Sequence, residues 1–206
     1  RDKYILRLNS IYENGFQSAG VEYIRGTASL IDGHSVRVVQ ESWEDCSKDG
    51  TAANTTLTVT REIRTIRAKY ILIATGGRPS FPPGEGILEH TISSDGFFDL
   101  DELPKTVAVV GAGYIAVELA GVLKCLGSEV HLVVRKGKAL REFDDMVSDA
   151  LDEEMVKLGI HIHRFTSGVA QVTVDDKGKK DVTTHSGDTI YGLDKVIMAV
   201  GRVPNV

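Results

Sequence analysis

The chain has 206 residues, of which 42% are hydrophobic, a formal net charge of −5 and two cysteines. That is enough apolar material for one large or two small globular domains; the acidic balance argues against nucleic acid as a partner, and no apolar run approaches the ~20 residues a membrane helix needs. Cys46 and Cys125 match no metal-ligand or CxxC spacing, which points to a reducing compartment, the cytoplasm with the mitochondrion as the alternative.

The opening stretch, RDKYILRLNSIYENG, lacks the layout of a signal peptide. Tyr4, Ile5, Leu8, Ile11 and Tyr12 recur at helical spacing, so residues 2–15 are expected to form an amphipathic helix with its aromatics in the core and its end at Gly15. Short β-branched runs at 29–31, 36–40, 56–60 and 63–67 read as a β-meander. The polar stretch 41–55, with Trp43, Cys46 and a chance sequon at Asn54, reads as its exposed loop. Residues 70–74 form a compact apolar run expected to be a buried strand. It stops at Thr75-Gly76-Gly77-Arg78-Pro79, small residues that let main chain approach something closely. Phe81-Pro82-Pro83-Gly84 reads as a linker between domains, and Ser94 or Asp95 as a helix cap.

Residues 107–110 are apolar and β-rich and stop at Gly111-Ala112-Gly113. From Tyr114 the period becomes helical, with Ile115, Leu119, Val122, Leu123 and Leu126, and Gly127 stands where a left-handed cap belongs. A second strand spans 129–134. Strand, glycine turn, helix and strand in register describe a dinucleotide-binding βαβ unit. Gly111 allows the tight turn, Gly113 lets main chain approach a pyrophosphate, and Ala116 keeps helix and strand close. A site for NAD places Asp or Glu about 20 residues beyond the glycines, to hold the ribose 2′-hydroxyl. Here the strand ends in Val133-Val134-Arg135, followed by Lys136, Lys138 and Arg141, with no carboxylate before Glu142. Guanidinium forks and ammonium charges suit a 2′-phosphate, so the expected nucleotide is NADPH. The plain alternative is a solvated basic loop.

Asp144 is expected to cap a helix running to Leu158, with Met146, Val147, Leu151, Met155 and Leu158 on its inner face and Gly159 ending it. A strand follows at 160–165, where His161 and His163 alternate with apolar residues. With no third ligand nearby they read as a polar strand face and not as a metal site. Residues 169–174 and 182–185 form a hairpin, and 195–200 a buried strand running into Gly201-Arg202-Val203-Pro204. The whole reads as α/β: a Rossmann-like nucleotide domain with a parallel sheet and a β-meander on its crossover, over 77–206, and a second, partial domain over 1–76.

Five motifs in this order, LIATGGRPS (72–80), SDGFFDLDELP (94–104), GAGYIAVELAG (111–121), VRKGKALREFD (134–144) and AVGRVPN (199–205), resemble the pyridine nucleotide-disulfide oxidoreductase family. The resemblance implies an enzyme that passes hydride from NADPH to FAD and on through a redox dithiol to glutathione disulfide. It implies that Ala112, Ile115 and Glu118 border NADPH, that Arg135 and Arg141 hold its 2′-phosphate with Lys136 beside them, and that Gly201 closes the pocket. Tyr114 is implied as the aromatic lid over the flavin and Glu118 as the partner of a flavin-side lysine. Ala28, Thr75, Gly76, Ser94 and Arg202 are implied near FAD or the domain crossing. Residues 1–76 would then belong to an FAD-binding domain. The family's FAD glycine fingerprint, CxxxxC dithiol, later FAD contact and C-terminal dimer domain with its catalytic histidine are not in this sequence, so the chain is expected to be an excerpt of a homodimer's subunit and inactive alone. Family members acting on trypanothione, thioredoxin or mercuric ion are the alternatives. A non-catalytic NADPH-binding module is the alternative of another class.

Overall fold

The structure is a computed structural model that describes residues 2–44 and 58–206. It divides into two compact units, Arg1–Ala74 and Thr75–Val206. The division falls two residues before the boundary expected from the sequence, because Thr75 and Gly76 bond within the second unit: the Thr75 hydroxyl donates to the Asn205 carbonyl, and Asn205 N–H donates to the Gly76 carbonyl at 3.0 Å.

The first unit holds helix α1 (Asp2–Ser18) and an antiparallel meander of β1 (Thr27–Asp32), β2 (Ser35–Glu44) and β3 (Thr58–Arg67), in the order β1-β2-β3. The tight turn between β1 and β2 is fixed by the Asp32 carboxylate, which accepts from His34 N–H at 2.7 Å. Three expectations are corrected. β2 continues to Glu44, into the stretch read as loop, and β3 is one continuous strand; Cys46 and the sequon at Asn54 lie outside the described residues. The aromatics of α1 are not core: Tyr4 is 64% and Tyr12 65% exposed, and among the described residues only Phe16 meets a ring, Tyr23, at 5.4 Å between centroids. Residues 70–74 are not a strand, and Leu72 is 88% exposed. An apolar run becomes a buried strand only where a neighbouring ladder takes its N–H and C=O groups, and among the described residues 70–74 has none in this unit.

The second unit runs β4 (Gly77–Pro79), α2 (Ile87–His90), β5 (Ile92–Ser93), α3 (Ser94–Phe98), β6 (Thr106–Val110), α4 (Tyr114–Cys125), β7 (Glu129–Val133), α5 (Asp145–Lys157), β8 (His161–His163), β9 (Val169–Val174), β10 (Lys180–Thr184), β11 (Thr189–Leu193), β12 (Lys195–Met198) and β13 (Arg202–Pro204). Five of these strands make a parallel sheet in the order β5-β12-β6-β7-β8. β9, β10 and β11 form an antiparallel meander on the crossover from β8 to β12, with β11 a third strand beyond the hairpin that the sequence leads one to expect.

Both faces of the sheet are covered, which is why its strands are nearly unbroken runs of apolar residues. On one face Val107, Val109, Val130, Leu132 and Ile197 pack against Ala116, Leu119, Ala120 and Leu123 of α4 and Met155 of α5. On the other, Ala108, Val110, Val133, Val196 and Met198 meet Val172, Val182, Ile190 and Leu193 of the meander, with Ile87 and Phe81. Phe81 to Gly84 is therefore packed chain and not a linker: a Cβ on Gly84 would lie 2.4 Å from the Ile87 side chain. The cap of α3 is Ser93, whose hydroxyl accepts from Asp95 and Gly96 N–H, and not Ser94 or Asp95. Asp144 does cap α5, accepting from Met146 N–H at 2.9 Å. The inner face of α5 is corrected: Met146, Val147 and Leu158 are exposed, Met155 is buried and Leu151 half-buried, and the residue turned inward one helical repeat before Met155 is Ser148. Ser148 is tolerated there because its hydroxyl donates to the Leu140 carbonyl at 2.7 Å.

His161 and His163 do lie on a strand face, and β7 adds His131 beside them. The three rings are stacked, with centroids 4.9 and 5.2 Å apart, and His131 Nδ1 and His163 Nε2 share a hydrogen bond of 2.9 Å. Burial, and then the neighbouring imidazoles, hold His131 and His163 below the ordinary imidazole range, against the pull of Glu129 and Asp188 respectively. The folded chain thus favours neutral rings, whereas the unfolded chain protonates near pH 6.5. Stability from this cluster is present above that pH and is lost as pH falls below it, when the 2.9 Å bond would set two N–H donors face to face. The thermal midpoint should drop more steeply between pH 7.5 and 5.5 in the native sequence than in a His131→Gln, His163→Gln double variant; equal slopes would remove the histidines from the account.

Candidate functional site

The carboxyl edge of the parallel sheet is where the chain opens. β6 leads to β7 on one side and lies beside β12 on the other, so the segments leaving β6 and β12 diverge and leave a crevice between them. Gly111 starts the turn with φ at +145°, and a Cβ there would lie 2.2 Å from the Ala199 carbonyl oxygen. Only glycine lets the two main chains pass. Ala116 is fully buried behind the turn, as expected for close helix–strand contact. Gly113 is the N-cap of α4, in an extended conformation with no side-chain cap, and a Cβ on it would meet nothing within 4 Å. The first N–H groups of α4 therefore face open space beside a residue without a side chain. Unpaired N–H donors at a helix N-terminus suit an anion.

The crevice has a volume of about 940 Å³, at the upper end of small-molecule sites. Gly111, Ala112, Gly113, Tyr114 and Ile115 line one side, and Arg135, Lys136, Lys138 and Arg141 another. Val200, Gly201 and Arg202 close it from β12, and Glu142 is the one carboxylate in the wall. Glu118 lies one turn further along α4, exposed and outside this wall; Tyr114 is 58% exposed at the mouth. Of the residues expected toward a flavin, Ala28 sits on β1 of the other unit and Ser94 is buried at the start of α3. Arg202 donates to Asp95 at 3.1 Å and to the Gly77 carbonyl. With the Thr75 and Gly76 bonds to Asn205, these contacts knit β4 to β13.

The basic run does not act as one cluster. Lys138 is committed elsewhere: its ammonium donates to Asp145 at 2.7 Å and Asp149 at 2.8 Å on α5, bonds that push its pKa up to about 12 and hold Asp145 below the ordinary carboxylate range. Arg141 has only the adjacent Glu142, at 3.9 Å. Among the described residues Arg135 and Lys136 carry no ion pair and no side-chain hydrogen bond. Arg135 and Lys136 thus stand uncommitted, and Arg141 is held by one long pair. Sequence reasoning missed Phe81, hidden by the linker reading, Ser80 at the end of the motif before it, and Ser167, Gly168 and His185 beside the meander strands, all of which line the crevice. Nothing in their local pattern marks them, because they reach it only through the crossover. Among the described residues no group of three histidine, cysteine or acidic side chains could hold a metal ion, and no helix is long and apolar enough to cross a membrane.

The pattern of the pyridine nucleotide-disulphide oxidoreductases matches residues 4–206. The chain belongs to that family. It is similar to glutathione reductase of Schizosaccharomyces pombe, 39% identical over all of this chain and 40% of the relative, and to that of Yarrowia lipolytica, 41% identical over 99% of this chain and 41% of the relative. It spans about two-fifths of the length of these curated relatives. Among solved structures, the HOCl-induced flavoprotein disulfide reductase RclA of Escherichia coli shares the fold, with a TM-score of 0.71 and 24% identity over 98% of this chain and 43% of that one. The Cu(II) complex of that protein aligns with a TM-score of 0.69 over 90% of this chain and 37% of that chain, at 24% identity.

The two turn glycines are expected to part company on substitution. Gly111→Ala should destabilise the fold by at least about 1–3 kcal/mol from its φ alone, read as a lower thermal midpoint. Gly113→Ala should cost no more than about 1 kcal/mol of stability yet weaken nucleotide binding in a fluorescence titration. A Gly113→Ala chain that binds as tightly as the native one would remove the N-terminus of α4 as an anion site.

Proposed function

We propose that the unit Thr75–Val206 binds NADPH in preference to NADH and presents it to FAD within a larger disulfide reductase that acts on glutathione disulfide, the unit Arg1–Ala74 being part of the FAD-binding domain. One observation carries the reading: an uncapped helix N-terminus after a glycine turn lines the same crevice as Arg135 and Lys136, which have no ion pair among the described residues, and Arg141, which is held by the 3.9 Å contact with Glu142. When bound, NADPH supplies the hydride that reduces the flavin. This chain's residues bind and orient it. The first-turn N–H groups of α4 would take the pyrophosphate, while Ala112 and Ile115 border the nucleotide and Gly201 leaves room opposite. The guanidinium forks of Arg135 and Arg141 match the oxygens of a 2′-phosphate, and Lys136 adds a point charge. The end of β7 offers no carboxylate to a 2′-hydroxyl, which is what a site for NAD requires.

Tyr114, exposed at the mouth one residue past the glycine turn, is placed to cover the nicotinamide end and to move aside on binding. Glu118, one helical turn on, exposed and outside the crevice wall, is available to pair with a cation from another part of the enzyme. Ala28, Thr75, Gly76, Ser94 and Arg202 are proposed on the flavin side. A homodimeric enzyme of the cytoplasm completes the proposal; the name glutathione reductase borne by the two fungal relatives supports glutathione disulfide as the substrate.

Each charge-assisted bond is worth about 1.5–3 kcal/mol, so Arg135→Ala or Arg141→Ala should weaken NADPH binding roughly tenfold to a hundredfold and leave NADH binding within about twofold. Calorimetric titration of both nucleotides is the test. Native affinity that is equal for the two would overturn the reading.

A further inference from the structure

Arg164 stands at the exit of β8, and its guanidinium joins three segments far apart in sequence. Nη1 and Nη2 donate to the two carboxylate oxygens of Asp152 on α5, at 2.7 and 2.8 Å, and Nη1 also donates to the Gly137 carbonyl at 2.8 Å. Both partners are largely withdrawn from solvent, with side chains 28% and 22% exposed. The next residue adds to the hold. Phe165 adopts φ of +57°, its N–H donates to the Lys136 carbonyl at 3.1 Å, and its ring lies over Gly137, where a Cβ would be 3.1 Å from the ring edge. The carbonyls of Lys136 and Gly137 are thus both fixed from β8, while the side chains of Arg135 and Lys136, just before them, line the crevice without a partner.

We propose that Arg164, locked in plane by Asp152, is a positioning residue that sets the backbone of the Arg135–Lys138 loop so that its uncommitted cations meet the 2′-phosphate of NADPH. The inference rests on the NADPH reading above. Arginine is required for geometric reasons: a bidentate contact with Asp152 fixes the guanidinium plane, and with it the direction of the N–H aimed at Gly137. An ammonium has no such plane. Arg164 does not act by its own charge, because Asp152 neutralises it. Loop placement is a large lever, since an error of about 1 Å in a positioning group costs up to about a hundredfold.

Opposite charge changes separate positioning from attraction. Arg164→Ala removes a positive charge and Asp152→Asn a negative one; Arg164→Lys keeps the charge and loses the fork. NADPH and NADH are titrated against each variant by fluorescence, with thermal midpoints measured alongside. All three variants should lower the NADPH-to-NADH affinity ratio by roughly tenfold, with NADH affinity little changed. A ratio that rises in Asp152→Asn while falling in Arg164→Ala would mean simple electrostatics and overturn the proposal. Parallel loss of both nucleotides and of thermal stability, with the ratio intact, would mean a structural ion pair and overturn it too. A native chain without preference for NADPH would sink the nucleotide reading itself, whereas a native preference that all three variants keep would sink the role of Arg164 alone.

Discussion

The passage of one main chain against another at Gly111 is the constraint on which the rest of the second unit depends. β6 and β12 lie side by side, and the turn that leaves β6 must clear the Ala199 carbonyl just beyond β12 with no room for a methyl group. Because it clears it, α4 can start at once and lie back along the sheet, its Ala116 buried against the turn. The N-terminus of the helix then faces outward at the carboxyl edge, between two segments that diverge. Helices cover one face of the sheet and the meander the other, so this edge is where a ligand can reach the strands.

Charge at that edge is sorted by geometry more than by composition. A chain with net charge −5 nonetheless sets Arg135, Lys136 and Arg141 into one wall. Lys138, only two residues past Lys136, turns to α5 and is taken up by two carboxylates. Arg164 is absorbed by Asp152 in the same way. Helix α5 thus pairs with two cations, while Arg135 and Lys136 carry no ion pair among the described residues. An exposed ion pair contributes little stability on its own. Here the pairs matter for where they hold the backbone.

The two units differ in how far their apolar residues find cover. In the second, the strands, α4 and the meander enclose two continuous cores. In the first, the meander is joined by its ladder, Val38 is the buried apolar side chain among the described residues, and α1 has none buried. The apolar stripe of α1 and the run at 70–74 are legible as patterns that call for a covering partner, and among the described residues of Arg1–Ala74 they stay exposed.

Local order was legible in the residues alone wherever a short-range rule suffices. The change from strand to helical period at Gly111-Ala112-Gly113 located the βαβ unit, and Asp144 before an apolar period located the start of α5. The want of a carboxylate after Val134 set the expected nucleotide apart from NAD. Tertiary structure decided what depends on distant neighbours: that Ser148 and not Met146 or Val147 turns inward, that Phe81 is packed and not a linker, that residues 70–74 pair with no strand among the described residues of their unit, and that His131 completes a stack with His161 and His163. It also decided which cations stay free, because Lys138 and Lys136 look alike in sequence and differ only in whether α5 lies within reach. Sequence patterns report a residue's own preference and the period of its element; commitment of a charge or burial of a face is set by whatever the rest of the chain brings alongside.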